Sequence, residues 1–368
     1  MAKITKQVRM VFDLNKCVGC QTCSMACKTM WTDRDEGQMY MYWNNVETQP
    51  GRGYPKNWET AGGGFQGNQV DLGGDGDPHV GNLPEIEPDY GAAWEYNYDQ
   101  VLGSSAVDEP EGTFPVGSEF EQEASQIVPI PSPDGSDAYA SNWDEDVGEG
   151  AWPNTQYFYL PRICNHCTKP ACLEACPRQS IYKREEDGIV LVDQERCRGY
   201  RYCVAGCPYK KMYYNPETKK SEKCIFCYPR LEKGEGNFCV TQCVGRVRWV
   251  GYDNNPDANV NKLVDDWGVG LRLHPEFGTE PNTFYVPPVS APTYDVDGKV
   301  TGNQRIPVEQ LAAMFGDTQS QNERSRIARI KEIFDILKTE RAKVAAGGSS
   351  ELMDILISRS EADRVQLD

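Results

Sequence analysis

The sequence predicts an α+β fold: two small cysteine-bearing modules, a long irregular insertion and a C-terminal helical tail. Three observations carry that expectation. Fifteen cysteines fall into four tight groups with none left over. Short strand-like runs lie beside those groups. Between the first and second group, over residues 57–161, the chain has no lysine or arginine and is rich in Gly, Pro, Asp and Asn. An odd total of cysteines, all grouped, argues against a closed disulfide framework and makes the thiols ligands.

The net charge of −17 is unevenly placed. Of the 55 Asp and Glu, 21 lie within residues 57–161, which leaves 34 against 38 Lys and Arg, so the cysteine-bearing remainder is about +4. The acidity belongs to the insertion, where it keeps a surface hydrated or meets a partner. Nucleic acid is excluded as a partner. The N-terminal residues show neither an apolar core of secretory length nor a twin arginine, so no signal peptide of its own is expected. No run approaches the roughly 18 apolar residues that span a bilayer, so direct transmembrane insertion is not expected.

In chain order, residues 7–14 read as a strand entering the first cysteine group, and 40–46 as an aromatic-rich strand or extended segment. Residues 51–153 lack helical or strand period. Their aromatics (Trp58, Phe65, Tyr90, Trp94, Tyr96, Tyr98, Trp143, Trp152) are too many for a disordered linker. Residues 180–183, an Asp187-Gly188 turn and residues 189–193 read as a β-hairpin. After Gly251 a loop-rich stretch is expected. Ile327, Ile330, Ile333, Phe334 and Leu337 recur at helical spacing, and Ser350 is an N-cap for a second short helix.

The cysteine spacing specifies the chemistry. Group one, Cys17-x₂-Cys20-x₂-Cys23-x₃-Cys27, has the bacterial ferredoxin spacing without its final proline. Group two, Cys164-x₂-Cys167-x₄-Cys172-x₃-Cys176-Pro177, and group four, Cys224-x₂-Cys227-x₁₁-Cys239-x₃-Cys243, lengthen only the middle. Group three, Cys197-x₂-Tyr200-x₂-Cys203-x₃-Cys207-Pro208, has a tyrosine where the second thiolate belongs. In such a run three thiolates hold one cubane and the fourth reaches a different cluster, so the motifs come in pairs. Groups two and three, separated only by residues 177–196, pair through a hairpin. Groups one and four are left to pair across the insertion. The result is two ferredoxin-like two-cluster modules.

Exchange of last cysteines then gives the ligand sets. Cys17, Cys20, Cys23 and Cys243 hold one 4Fe-4S cluster; Cys27, Cys224, Cys227 and Cys239 a second; Cys164, Cys167, Cys172 and Cys207 a third. Cys176, Cys197 and Cys203 are only three thiolates, which suits a 3Fe-4S cluster with Tyr200 filling the corner of the missing iron. The domain order is 1–50 (first half of module A), 51–156 (acidic insertion), 157–215 (module B), 216–255 (second half of module A) and 256–368 (partner-contacting loops and helices).

Competing readings are weaker. Four-cysteine zinc sites use two C-x₂-C pairs, which only group four imitates, and the C-x₃-C-x₂-C run of radical S-adenosylmethionine enzymes is absent. His166 as a Rieske-type ligand sits where the cysteine count is complete, and steric filling outweighs a redox role for Tyr200. His79 and His274 give no signal. Arg178, Lys183, Arg198, Arg201, Lys210, Lys211, Lys219, Lys220 and Lys223 either compensate anionic clusters or form a solvated face.

FDLNKCVGCQTCSMACKTMW, YMYWNNVETQPGRGYP, YLPRICNHCTKPACLEACPRQSIYKREEDGIVLVDQERCRGYRYCVAGCPYKK, SEKCIFCYPR and PEFGTEPNTFYVPP together resemble the iron-sulfur β subunit of the respiratory nitrate reductase family. Its relatives include nitrite oxidoreductase, selenate, chlorate and perchlorate reductases, and dimethylsulfide and ethylbenzene dehydrogenases. The resemblance implies a non-catalytic electron-transfer subunit with three 4Fe-4S clusters and one 3Fe-4S cluster. It would link a large molybdenum (bis-molybdopterin) catalytic subunit to a haem b or membrane-anchor subunit, the Cys17 cluster nearest the molybdenum and the three-iron cluster at the haem end. Bacterial nitrate reductase β subunits usually have Trp at the position of Tyr200. A peripheral membrane-associated complex is implied, on the extracytoplasmic side by co-export with a twin-arginine partner in preference to the cytoplasmic face.

Overall fold

The computed structural model describes residues 4–33, 37–73, 83–90, 149–150, 152–317, 320 and 322–367. Much of the acidic insertion, with Trp94, Tyr96, Tyr98, Trp143 and His79, lies outside the described residues. The organising element is the strand Val8–Asp13, whose apolar residues on both faces are buried. A strand covered on both sides must be nearly continuous in hydrophobicity, as VRMVFD is. It pairs antiparallel with Arg248–Tyr252, Phe12 opposite Arg248, and parallel with Thr283–Val286, Met10 opposite Thr283. Leu271–Leu273 and Phe315–Gly316 extend the sheet on one side and Val365–Gln366 on the other. That register sets the end of the strand entering the first cysteine group against the start of the strand leaving the fourth.

The stretch after Gly251 differs from the loop-rich expectation, since it supplies Leu271–Leu273 and Thr283–Val286 to this sheet. Both runs are too short, and too close to Pro281, Pro287 and Pro288, to show a period. The aromatic segment after Tyr40 also differs: the strand is Asn45–Gln49. Tyr40 and Tyr42 pack with Tyr54, Tyr90 and Tyr213, and backbone carbonyls of this segment accept from Lys28, Thr32 and Lys211. Asn45–Gln49 pairs with Phe158–Arg162 and so closes the base of the insertion. Glu47 and Arg162, both fully buried, join there at 3.0 Å. Glu47 also accepts from Trp58 Nε1 at 2.9 Å and the Tyr54 backbone at 3.1 Å, while the guanidinium stacks 3.7 Å over the Trp58 ring.

The hairpin Ile181–Lys183/Val190–Val192 lies between groups two and three, and Tyr213–Asn215/Lys220–Glu222 between groups three and four. Helix Thr22–Cys27 packs on Phe238–Thr241, and Ala171–Glu174 on Tyr202–Gly206. Near the C-terminus, Asn322 and Ser325 form a capping box for the helix Glu323–Ala345, which buries Ile330, Ile333, Phe334 and Leu337. Ser350 caps Glu351–Ile357 by accepting from the Met353 backbone at 3.2 Å.

His274 fastens three distant segments. Its two ring nitrogens each lie 2.7 Å from a carboxylate, Glu276 and, from the insertion, Glu59; Arg326 of the long helix holds Glu276 at 2.8 Å. Burial alone would lower the imidazole pKa, but the two carboxylates outweigh it and raise it. A histidine whose pKa is raised by folding stabilises fully below its unfolded value near 6.5 and loses that contribution as pH climbs through the folded value. The stability difference between wild type and His274→Gln is therefore expected to be largest near pH 6 and to close on the alkaline side. A gap that widens with pH in thermal melts would contradict this assignment.

Candidate metal centres

The four cysteine loops share one backbone design. The second residue after the first cysteine has a positive φ in each: Gly19 (67°), His166 (42°), Gly199 (65°) and Phe226 (54°). Three residues after the last cysteine the pattern repeats at Gln179, Lys210 and Arg246, with φ of 48–50°. Such conformations cost a side-chain-bearing residue roughly 1–2 kcal/mol, so the sulfurs must gain from them. The backbone amide two residues after the first cysteine approaches its Sγ, His166 to Cys164 at 3.5 Å and Phe226 to Cys224 at 3.3 Å. The amide four residues after the last cysteine does the same, Ser180 to Cys176 at 3.3 Å and Val247 to Cys243 at 3.4 Å. Ser221 N adds a bond to Cys197 at 3.4 Å and Trp31 Nε1 one to Cys227 at 3.2 Å. Amide donors aimed at thiolate sulfur stabilise negative charge there.

The thiols surround cavities. Cys164, Cys167, Cys172 and Cys207 line one of about 370 Å³. Cys176, Cys197 and Cys203 line a second of about 320 Å³ together with Tyr200, which is half exposed. Cys27, Cys224, Cys227 and Cys239 line a third of about 320 Å³. Cys17 has Cys23 and Cys243 as neighbours, and Cys20, in the same loop, is exposed. Among the described residues no three His, Cys, Asp or Glu converge tightly enough for a single ion. Thiols spread around a cavity suit a polynuclear cluster instead.

Three donors sharpen the fit. His166 accepts the Val190 amide on Nδ1 at 3.1 Å, so Nε2 carries the proton. That Nε2, Trp43 Nε1 and Ser180 Oγ are buried without a hydrogen-bond partner among the described residues, and each residue lines one of the cavities or, for Ser180, the cavity of Tyr200. Buried donors need acceptors, and cluster sulfur would supply them. Burial also pushes the thiols up, Cys17, Cys203 and Cys239 to about 12. Only coordination keeps such buried sulfurs deprotonated.

The basic residues divide. Arg178, Arg198 and Lys219 are exposed, whereas Lys210, Lys211 and Lys223 are buried. The buried ones donate to neutral oxygens: Lys210 to Ala205 O at 2.8 Å, Lys211 to Tyr42 O and Asn45 Oδ1, Lys223 to Val190 O and Cys224 O. Lys183 reaches Cys167 O at 3.0 Å and Lys28 reaches Met39 O at 2.9 Å. Burial lowers Lys28, Lys183 and Lys210 to about 8. No sequence pattern separates these from the solvated lysines, because the distinction is made by the fold.

A family model described as a 4Fe-4S dicluster domain matches residues 155–253. The selenate reductase subunit beta of Thauera selenatis is 50% identical over 98% of each chain. The chain belongs to the iron-sulfur β subunits of the respiratory nitrate reductase family. Over 99% of each chain this β subunit is 48% identical to the dimethylsulfide dehydrogenase subunit beta of Rhodovulum sulfidophilum. It is 46% identical to the respiratory nitrate reductase subunit beta of Haloferax mediterranei over 99% of this chain and 94% of that one. A β subunit of this family is an iron-sulfur electron-transfer component of an oxidoreductase complex, and the catalytic site lies in another polypeptide.

Proposed function

We propose that this β subunit is a four-cluster wire, three 4Fe-4S clusters and one 3Fe-4S cluster in line, between a molybdenum catalytic subunit and a haem b or membrane-anchor subunit. The carrying observation is the succession of neighbouring sulfurs. Cys23 of the first ligand set neighbours Cys239 of the second. Cys224 of the second neighbours Cys164 of the third. Cys207 of the third neighbours Cys203 of the last. Both ends of this succession reach the surface: Cys20 is exposed, as are Val18 and Val244 beside Cys17 and Cys243 in the sequence, and at the other end Tyr200 is 50% exposed. A wire needs accessible ends. Bound clusters supply one-electron exchange; the chain supplies spacing, amide donors and cations.

We take the Cys17 end to face the molybdenum subunit and the Tyr200 end the haem subunit, with nitrate or a related oxyanion as the partner's substrate. Reductase and dehydrogenase relatives occur at 46–50% identity, so this chain does not choose the substrate. No helix of the described residues is long and apolar enough to cross a membrane, which agrees with peripheral attachment, placed here on the extracytoplasmic side by co-export with the catalytic subunit. The test is the purified complex, assayed for iron, acid-labile sulfide, zinc and molybdenum, and against nitrate, selenate, chlorate and dimethylsulfide. About 15 iron atoms per β chain are expected. Zinc in place of iron, or iron for only two clusters, would sink the four-cluster reading.

A further inference from the structure

Arg248 opens the strand that leaves the fourth cysteine group and is 0% exposed. Its Nη2 donates to Cys23 Sγ at 2.9 Å. Its Nε and Nη1 have no hydrogen-bond partner among the described residues, and the Phe12 ring lies 4.8 Å from Cζ. Among the described residues no carboxylate pairs with it. The groups facing it are the sulfurs of Cys23, Cys239, Cys243 and Cys17, with Cys27 also within its field. Those sulfurs belong to two different ligand sets. At the matching position in two other loops, five residues after the last cysteine, stand Ile181 and Met212, each lining its own cavity. The arginine is thus peculiar to one module.

A buried cation without a counter-charge is strongly disfavoured, so this site is built for anions on both sides. We propose that Arg248 is a positioning residue shared by two clusters, those of the Cys17/Cys20/Cys23/Cys243 and Cys27/Cys224/Cys227/Cys239 sets, and holds both at raised potential. The inference rests on the four-cluster reading. A donor and a positive charge beside a cluster favour its reduced, more negative form. When one electron passes between these neighbours, one cluster is oxidised by one and the other reduced by one. The total charge facing the guanidinium is unchanged and no proton needs to move.

The test uses the whole complex with Arg248→Met and Arg248→Lys, each analysed for iron and by redox titration followed by electron paramagnetic resonance. In Arg248→Met both clusters of this module are expected to become at least tenfold harder to reduce, ~59 mV for each tenfold in a one-electron couple. The clusters of the Cys164 and Cys176 sets should hold their potentials. Arg248→Lys, which keeps charge but loses the fork, should shift both by less. A shift in one cluster only, equal shifts in all four, or equal effects of Lys and Met would overturn the proposal. So would equal loss of iron in both variants, which marks a merely structural arginine. Wild-type complex lacking signals from either cluster would instead fail the four-cluster reading, before any variant is compared.

Discussion

Tyr200→Cys is expected to turn the three-iron cluster proposed for Cys176, Cys197 and Cys203 into a four-iron cluster. The substitution completes the Cys197-x₂-x-x₂-Cys203-x₃-Cys207 run as a ferredoxin motif, and Tyr200 already lines the cavity of the three thiols. Three ferric ions carry an odd number of d electrons, so the oxidised wild-type cluster must be paramagnetic. An oxidised four-iron cluster has an even count, and its signal appears only on reduction. Potential depends on cluster type, and the four-iron cluster is expected to run lower than the three-iron cluster it replaces, so electron exchange with the partner at this end should slow by at least tenfold. Anaerobically prepared wild-type complex with no oxidised-state signal would show that a complete cube sits there and that Tyr200 or another group ligates it.

Glu47→Gln is expected to cost about 3–5 kcal/mol, the penalty for leaving one member of a buried ion pair uncompensated. Both partners are almost wholly buried, and among the described residues Arg162 has only the carbonyls of Tyr54 and Tyr209 as other acceptors. The loss should appear as a lower temperature of half-bleaching of cluster absorbance. Glu47→Gln combined with Arg162→Met removes both charges and should recover part of it. Identical midpoints for wild type and Glu47→Gln would show that the pair does not close the insertion base energetically.

The family and its iron-sulfur character were legible because ligand spacing is local: C-x₂-C-x₂-C-x₃-C is dictated by the size of a cluster and the turn around it. The hairpin after group two, the long C-terminal helix and the Ser350 cap of the last helix were legible through turn chemistry and period. What stayed hidden depends on register or on distant contacts. Thr283–Val286 is four residues among prolines, yet it is a central strand. His166 and Phe226 adopt positive φ without being glycine, a strain enforced by the loop rather than announced by composition. Arg248 faces the cysteines of the first group only because Phe12 pairs with it. His274 gains its carboxylate from Glu59, 215 positions away.

The lysines that donate inward to neutral carbonyls bear on how the protein comes into being. Lys28, Lys183, Lys210, Lys211 and Lys223, with Arg248, are inward-facing cations, and the anionic clusters proposed above would supply their counter-charge. A chain that collapsed before receiving iron would have to bury these cations against protonated thiols. On the four-cluster reading, iron delivery is therefore expected with or before closure of the core. Chain made without iron is therefore expected to be cut faster in limited proteolysis than the cluster-loaded subunit.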